Sequence, residues 1–472
     1  MSLQSFHFFI FAVVVFGANA LLLKRLSARK NMLLVASYYF YMCWDWRFSV
    51  LLLTVAGINY LAAIQIQDGR SDTARKCWLT FALVGCLGLL AYFKYANFFI
   101  ESVAALLSRM GWYPNLSLLN VVLPIGISFF SFQGISYTID VYRRQQSATR
   151  DFRDFALFIA FFPTVLAGPI ARGRQMLPQF TKPLPYTQER GLEGLYLIAL
   201  GFIKKLVFAD TLALFIVNPA FSQPQNHSTS FLIIAAYAYS FQIYMDLSGY
   251  TDIARGVAKT LGFELPENFN RPYQATSVSN FWQRWHISMS GFFRDYLYFG
   301  LGGSKYGNVY LNLLITFAAI GMWHGGSWNF VVYGILHGVV VGLERLLRER
   351  YKSWGLTYFV HNTFFPYLAT FLSLQFVAFS RVLFRSENLD SALDFFVAML
   401  SNQGEIDLVP LLGLAALVIS IGLHYTPRDW NSRLVARICG YTPAILGAVL
   451  SVIALVLVAF SAGPSHFVYF QF

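Results

Sequence analysis

Apolar runs long enough to cross a lipid bilayer recur along almost the whole chain, and they constrain its fold more than any motif does. A helix needs about 20 predominantly apolar residues to span the hydrocarbon core. Such runs fall near residues 6–23, 32–46, 48–66, 77–93, 118–138, 154–170, 191–219, 229–247, 308–323, 328–347, 357–381, 407–425 and 442–462. Backbone in lipid must satisfy its own N–H and C=O groups, so runs of this length read as helices. The expectation is an all-α integral membrane protein with about 10–12 transmembrane helices, plus interfacial or re-entrant helices where runs are broken or tilted. Composition agrees: 57% of residues are hydrophobic and only 12% charged, where a soluble chain is nearer one quarter charged. A soluble globule and a disordered chain are both excluded. No internal repeat or long linker divides the sequence, so residues 1–472 read as a single polytopic membrane domain.

The formal net charge is +12. Its basic residues cluster in gaps between apolar runs, at Arg70, Arg75 and Lys76, at Arg143, Arg144, Arg150 and Arg153, at Arg345, Arg348, Arg350 and Lys352, and at Arg428, Arg433 and Arg437. That is the pattern of cytoplasmic loops, so the charge gives no support to a nucleic-acid partner. Membrane lipid is the expected surroundings. Ala18-Asn19-Ala20 looks like a signal-peptidase site, but Lys24, Arg25, Arg29 and Lys30 follow the apolar run rather than precede it. The first run therefore reads as a retained helix with a periplasmic N-terminus. None of the four cysteines forms a C-x-x-C pair, and no metal is called for.

Between Tyr244 and Tyr298 polar and charged residues break the apolar pattern, among them Asp246, Asp252, Asn268, Arg284, His286 and Asp295, with Pro266 and Pro272. The stretch is too polar to cross lipid as one helix. It reads as an interfacial or cavity-lining segment, a place for a site open to a polar substrate. Two histidines stand out. His324 lies in Trp323-His-Gly-Gly326, directly after an apolar run, with Trp328 close behind. A buried neutral imidazole is a competent general base; equally it can be a core histidine bonded to a backbone carbonyl. Gly325 and Gly326 would let a ligand or backbone approach, and Trp323 and Trp328 could wall a narrow pocket. His286 lies in Phe281-Trp-Gln-Arg-Trp-His286. Read as a helix, Trp282, Trp285 and Met289 share one face, which also suits a plain interfacial anchor. Lys204 and Lys205, inside the 191–219 run, point to a broken or tilted helix at the cytoplasmic interface. His424 and Asp429 have the spacing of soluble-faced acyltransferases, but that pattern is short and arises often by chance.

Three ordered segments together resemble a known family: Gln242-Ile-Tyr-Met-Asp-Leu-Ser-Gly-Tyr-Thr-Asp-Ile253; Leu265-Pro-Glu-Asn-Phe269 through Arg271-Pro-Tyr273 and Phe281–Ser288 to Phe293-Arg-Asp-Tyr-Leu-Tyr298 and Leu301-Gly-Gly303; and Trp323-His-Gly325 with Trp328, Tyr333-Gly334 and His337-Gly338. Together with Leu123–Ser128, Phe93-Lys-Tyr95 and Phe202-Ile-Lys-Lys205 they are similar to the membrane-bound O-acyltransferases, in particular to the bacterial alginate O-acetylase branch. The resemblance covers about residues 30–345, with its motifs concentrated in 90–345.

It implies a central funnel in which an acyl group passes from a cytoplasmic thioester to an acceptor at the other face. It implies His324 as the essential catalytic residue and His286 as the second functional histidine. Asp246, Asn268, Trp285, Trp323, Gly325 and Trp328 are expected around the substrate. It further implies acetyl-CoA as donor and a place in the inner membrane of a bacterium, within a polysaccharide biosynthesis complex. There a periplasmic polysaccharide acetyltransferase would receive the acetyl group for O-acetylation of an alginate- or cellulose-like exopolysaccharide. D-alanyl transfer from a carrier protein, a transporter without chemistry and a docking subunit are the competing readings.

Overall fold

The computed structural model describes residues 5–460 apart from 115, 183–184, 186, 351–353, 355–363, 402–406 and 428. Lys352 and Arg428 of the basic clusters, and the start of the 357–381 run, lie outside the described residues. Among the described residues every regular element is helical, as an all-α membrane protein requires. The chain divides into two compact units, one of Met1–Leu195 with Ala254–Pro266, the other of Tyr196–Ile253 with Glu267–Phe472.

The first unit contains α1 (Phe6–Leu21), α2 (Leu26–Met42), α3 (Phe48–Asp68), α4 (Asp72–Leu90), α5 (Ala96–Arg109), α6 (Ile127–Tyr142), α7 (Phe152–Ala160) and α8 (Gly173–Thr181). Ser5, Ser71 and Asp151 cap α1, α4 and α7 by accepting from first-turn N–H groups, which satisfies donors a helix start leaves open. Two expected spans are only half helical. Helix α6 begins at Ile127 because Gly126 turns the chain with φ 82°, against the Val165 carbonyl. Helix α7 stops at Ala160, ahead of Pro163, which disfavours helical backbone in the residue before it. Buried charge is paired: Lys30 meets Asp154 at 2.6 Å, and Arg29 donates to Asn19 at 2.8 Å and to the Leu261 carbonyl.

Helix α9 (Gln188–Phe202) leads into the second unit, where α-helical bonding gives way to π-helix at Ile203–Ala209 and again at Ala213–Val217. The chain stays helical from 188 to 222, so the run is widened by π-helical turns and not interrupted. Next comes α10 (Thr229–Thr260), 32 residues, about 48 Å at ~1.5 Å per residue. The expected run 229–247 forms its first part; the helix then continues past Asp252 to Thr260, and the polar stretch is irregular only beyond it. The helix can continue because the carboxylates are answered: Lys205 reaches Asp246 at 2.6 Å and Asp210 at 2.9 Å, and Lys204 reaches Asp252 at 2.6 Å. Gly201 and Gly249 permit this by bringing the two backbones together; a Cβ on either would press on the other's carbonyl oxygen.

Residues 267–308 carry short helices at Val278–Trp282 and Ile287–Phe292 and a π-helical turn at Phe293–Tyr298. They are followed by α11 (Val309–His324), α12 (Trp328–Arg350), α13 (Phe365–Arg385), α14 (Leu389–Ser401), α15 (Leu411–His424), α16 (Trp430–Ile438) and α17 (Pro443–Phe460). Four described helices are long and apolar enough to cross a membrane: Phe48–Asp68, Asp72–Arg109, Trp328–Arg350 and Phe365–Arg385. Shorter apolar helices lie at Phe6–Leu21, Val309–His324, Leu411–His424 and Ala444–Phe460. Large apolar side chains such as Val13, Val14, Leu455 and Val458 point outward, the face lipid would cover.

Helices α11 and α12 form a tight hairpin. A Cβ on Gly334 would collide with the Phe317 carbonyl and lie 3.1 Å from the Gly321 Cα. Overpacking of this kind costs about 1–3 kcal/mol. Gly334→Ala is therefore expected to lower the unfolding temperature in detergent clearly. Gly342→Ala, whose Cβ would meet only Tyr310 Cδ1 at 3.5 Å, is expected to leave it nearly unchanged.

Candidate active site

His324 is the last residue of α11 and is 3% exposed. The chain must leave the helix there because Gly325 is fully extended, φ −168°. A Cβ on Gly325 would enter the Phe330 ring, so this glycine is required by close packing against α12. The His324 ring lies 4.9 Å from the Trp323 ring and 4.9 Å from the Phe384 ring, both edge to face.

His286 packs against the same tryptophan. Its ring sits 5.6 Å from Trp323 at an interplanar angle of 87°. The expected continuous helix through Trp282, Trp285 and Met289 is absent. His286 instead has left-handed backbone, φ 44°, between two short helices. Such backbone costs about 1–3 kcal/mol for a residue with a Cβ and persists only where its surroundings fix it. Asn268 does part of this fixing: its carbonyl accepts from Ile287 N at 2.9 Å, and its side-chain oxygen accepts from Ser288 N at 3.0 Å and Ser288 Oγ at 2.9 Å. Asn268 therefore braces the turn that presents His286. Burial drives the His286 imidazole well below the ordinary histidine range, to about 3, so it is neutral at physiological pH.

The structure thus brings His286, Trp323 and His324 together, with Trp285 and Asn268 behind His286. Trp285 is buried, stacked on Phe281 at 5.5 Å. Two other expected members are placed as follows. Trp328 opens α12 and is 53% exposed. Asp246 is fully buried in its ion pair with Lys205. His424 accepts from Tyr273 N at 3.1 Å and Asp429 pairs with Arg433, so that spacing marks no site.

His337, quoted above as part of the resemblance but not expected at the site, and a group of arginines border it. His337 on α12 accepts from Trp282 Nε1 at 3.1 Å, and its Nε2 meets Ser380 Oγ at 3.1 Å. A cavity of about 320 Å³ lies between the 278–298 segment and the α11–α12 hairpin, with Trp282, Phe317 and Ile320 in its wall and Arg294, Arg345 and Arg348 around it. Ile287, the neighbour of His286, and Ile320, one turn before His324, both line it. The arginines were visible only as loop charge in the sequence; that they gather around one cavity depends on the α11–α12 hairpin.

Residues 128–380 match the model of the MBOAT, membrane-bound O-acyltransferase, family. The chain belongs to the membrane-bound O-acyltransferases. Among its relatives is a probable alginate O-acetylase AlgI of Pseudomonas syringae pv. tomato, 38% identical over 430 residues, covering 87% of this chain and 80% of the relative. The Azotobacter vinelandii protein of the same name is 40% identical over 79% of this chain and 73% of its own length. A peptidoglycan O-acetyltransferase of Helicobacter pylori is 33% identical over 84% of this chain and 79% of its own. This membrane-bound O-acyltransferase is accordingly a multi-pass membrane enzyme that transfers acyl groups.

A histidine held neutral by burial stabilises the fold above its unfolded-state pKa, about 6.5, and that stability is lost as pH falls below this value. The sign follows from the unfolded chain binding the extra proton. Unfolding of the wild type in detergent is expected to become easier below pH 6.5. His286→Gln is expected to show a shallower acid slope, by up to about 1.4 kcal/mol per pH unit. Parallel slopes would contradict a neutral buried His286.

Proposed function

We propose that this membrane-bound O-acyltransferase takes an acetyl group from acetyl-CoA at the cytoplasmic face and delivers it across the inner membrane of a bacterium. The N-terminus lies on the periplasmic side. A periplasmic polysaccharide acetyltransferase receives the acetyl group, within a polysaccharide biosynthesis complex, for O-acetylation of an alginate- or cellulose-like exopolysaccharide. The observation that carries this reading is the packing of two buried histidines against Trp323, with their neighbours Ile287 and Ile320 lining a cavity that has an apolar wall and arginines around it. The relatives named for O-acetylation of alginate and peptidoglycan support the acetyl group and the polymer.

The cavity suits a thioester carried on a phosphate-bearing arm. Trp282, Phe317 and Ile320 would pack the arm, and guanidinium groups such as that of Arg348 would hold the phosphates. Basic residues at the end of α12 fit the cytoplasmic side. His324 then accepts the proton of the acceptor hydroxyl as its oxygen attacks the thioester carbonyl. The tetrahedral intermediate collapses, the C–S bond breaks, and the proton passes from His324 to the departing thiolate. His286, packed against Trp323, positions the acceptor.

A general base contributes about 10²–10⁴-fold. With [¹⁴C]acetyl-CoA and protein in nanodiscs, His324→Ala is expected to lose transfer by about that factor while keeping the wild-type elution profile. Full transfer by a folded His324→Ala would overturn the assignment. Turnover absent in the wild type but present with an acetylated carrier protein would overturn acetyl-CoA as donor.

A further inference from the structure

Arg381, on α13 and just beyond the family match, is 1% exposed. Among the described residues no carboxylate pairs with it. A buried guanidinium without a counter-ion is an expensive thing to keep, and an apolar side chain of like size would serve stability at least as well. What Arg381 touches is therefore informative. Its guanidinium lies 4.1 Å from the Trp285 ring, with Tyr273 at 5.3 Å and Phe281 at 5.5 Å. All three rings belong to the segment that ends in the left-handed turn at His286. Its Nη1 donates to the Ser240 carbonyl at 3.1 Å and to the Tyr273 hydroxyl. Its neighbour Ser380 holds His337, which in turn holds Trp282 of the same segment. Two adjacent residues of α13 thus grip the segment at both of its tryptophans.

We propose that Arg381 is a positioning residue for acyl transfer: its flat cation, stacked on Trp285, locks the strained turn that aims His286 at Trp323. This rests on the reading of His286 as part of the site. A cation stacked on indole is held by charge and shape together, and lysine supplies the charge without the plane. The interaction therefore selects arginine, and misplacement of a site residue by about 1 Å can cost ~10²-fold in rate.

The test uses the full chain in nanodiscs with acetyl-CoA as the probe. Arg381→Met keeps length, and the Tyr273 hydroxyl still donates to the Ser240 carbonyl. It is expected to remain monodisperse, to lose about 10- to 100-fold in kcat, and to keep KM for acetyl-CoA within about 2-fold. Arg381→Lys is expected to recover little. The double variant with His286→Ala is expected to be no worse than His286→Ala alone, because both changes remove one function. Multiplied losses in the double variant, a rise in KM at unchanged kcat, or full activity of Arg381→Met would each overturn the proposal. Full activity of His286→Ala would instead remove the reading beneath it.

If Arg381→Met does not fold, Trp285→Phe probes the same stack from the other side, with the same kcat loss and the same non-additivity expected. Hydrogen exchange covers the case of no acetyl-CoA turnover. Arg381→Met or Trp285→Phe should speed exchange in residues 280–290; unaltered exchange in 280–290 overturns the proposal.

Discussion

A charged group withdrawn from water has to be answered where it lies, and in a chain with so few charges each answer shapes the backbone around it. Lys205 shows this most clearly. Its ammonium group bridges Asp246 and Asp210 in a nearly dry environment. Bridging them requires the helix carrying Lys204 and Lys205 to approach α10 closely, which Gly201 and Gly249 permit. It also coincides with the departure from α-helical bonding at Ile203–Ala209. The pairing of Lys204 with Asp252 repeats the arrangement one turn and a half along α10. With its carboxylates paired, α10 continues for 32 residues as one helix.

The candidate active site is built on the opposite tactic. His286, Trp323 and His324 are placed by aromatic contact and by backbone geometry. The α11–α12 hairpin fixes Trp323 and His324 through a glycine seam, whereas His286 sits on a turn that its own backbone disfavours. Asn268 and the aromatic stack around Trp285 hold that turn. One histidine is therefore carried by a rigid element and the other by a segment that depends on its supports. A site of this kind has reactive groups that packing and supporting hydrogen bonds must hold in register.

Much of this was legible in the sequence, and the gaps have physical reasons. Apolar runs revealed the helical membrane architecture because the bilayer imposes length and composition directly. Trp323-His-Gly325 and Arg284-Trp-His286 revealed the two histidines through their resemblance to a family. The continuation of α10 past Asp252 to Thr260 was not legible, because the lysine that answers Asp252 lies 48 residues away in the chain. Trp328, expected near the substrate, opens α12 half-exposed beyond the turn at Gly325, a degree of exposure that its place in the sequence did not reveal. Asn268 was expected around the substrate, yet its side-chain oxygen is committed to Ser288. Arg381 lies in a largely apolar helix with no motif near it, and only the fold brings it to Trp285.

The central claim is that the acetyl group changes hands beside Trp323, between His286 and His324. The most direct measurement is a cryo-EM structure in nanodiscs with a non-cleavable acetyl-CoA analogue. The account predicts density running from the cavity near Arg348 past Trp282, with the acetyl carbonyl within hydrogen-bonding reach of His324. An analogue bound with its acetyl end away from both histidines, in a protein that turns over acetyl-CoA, would contradict it.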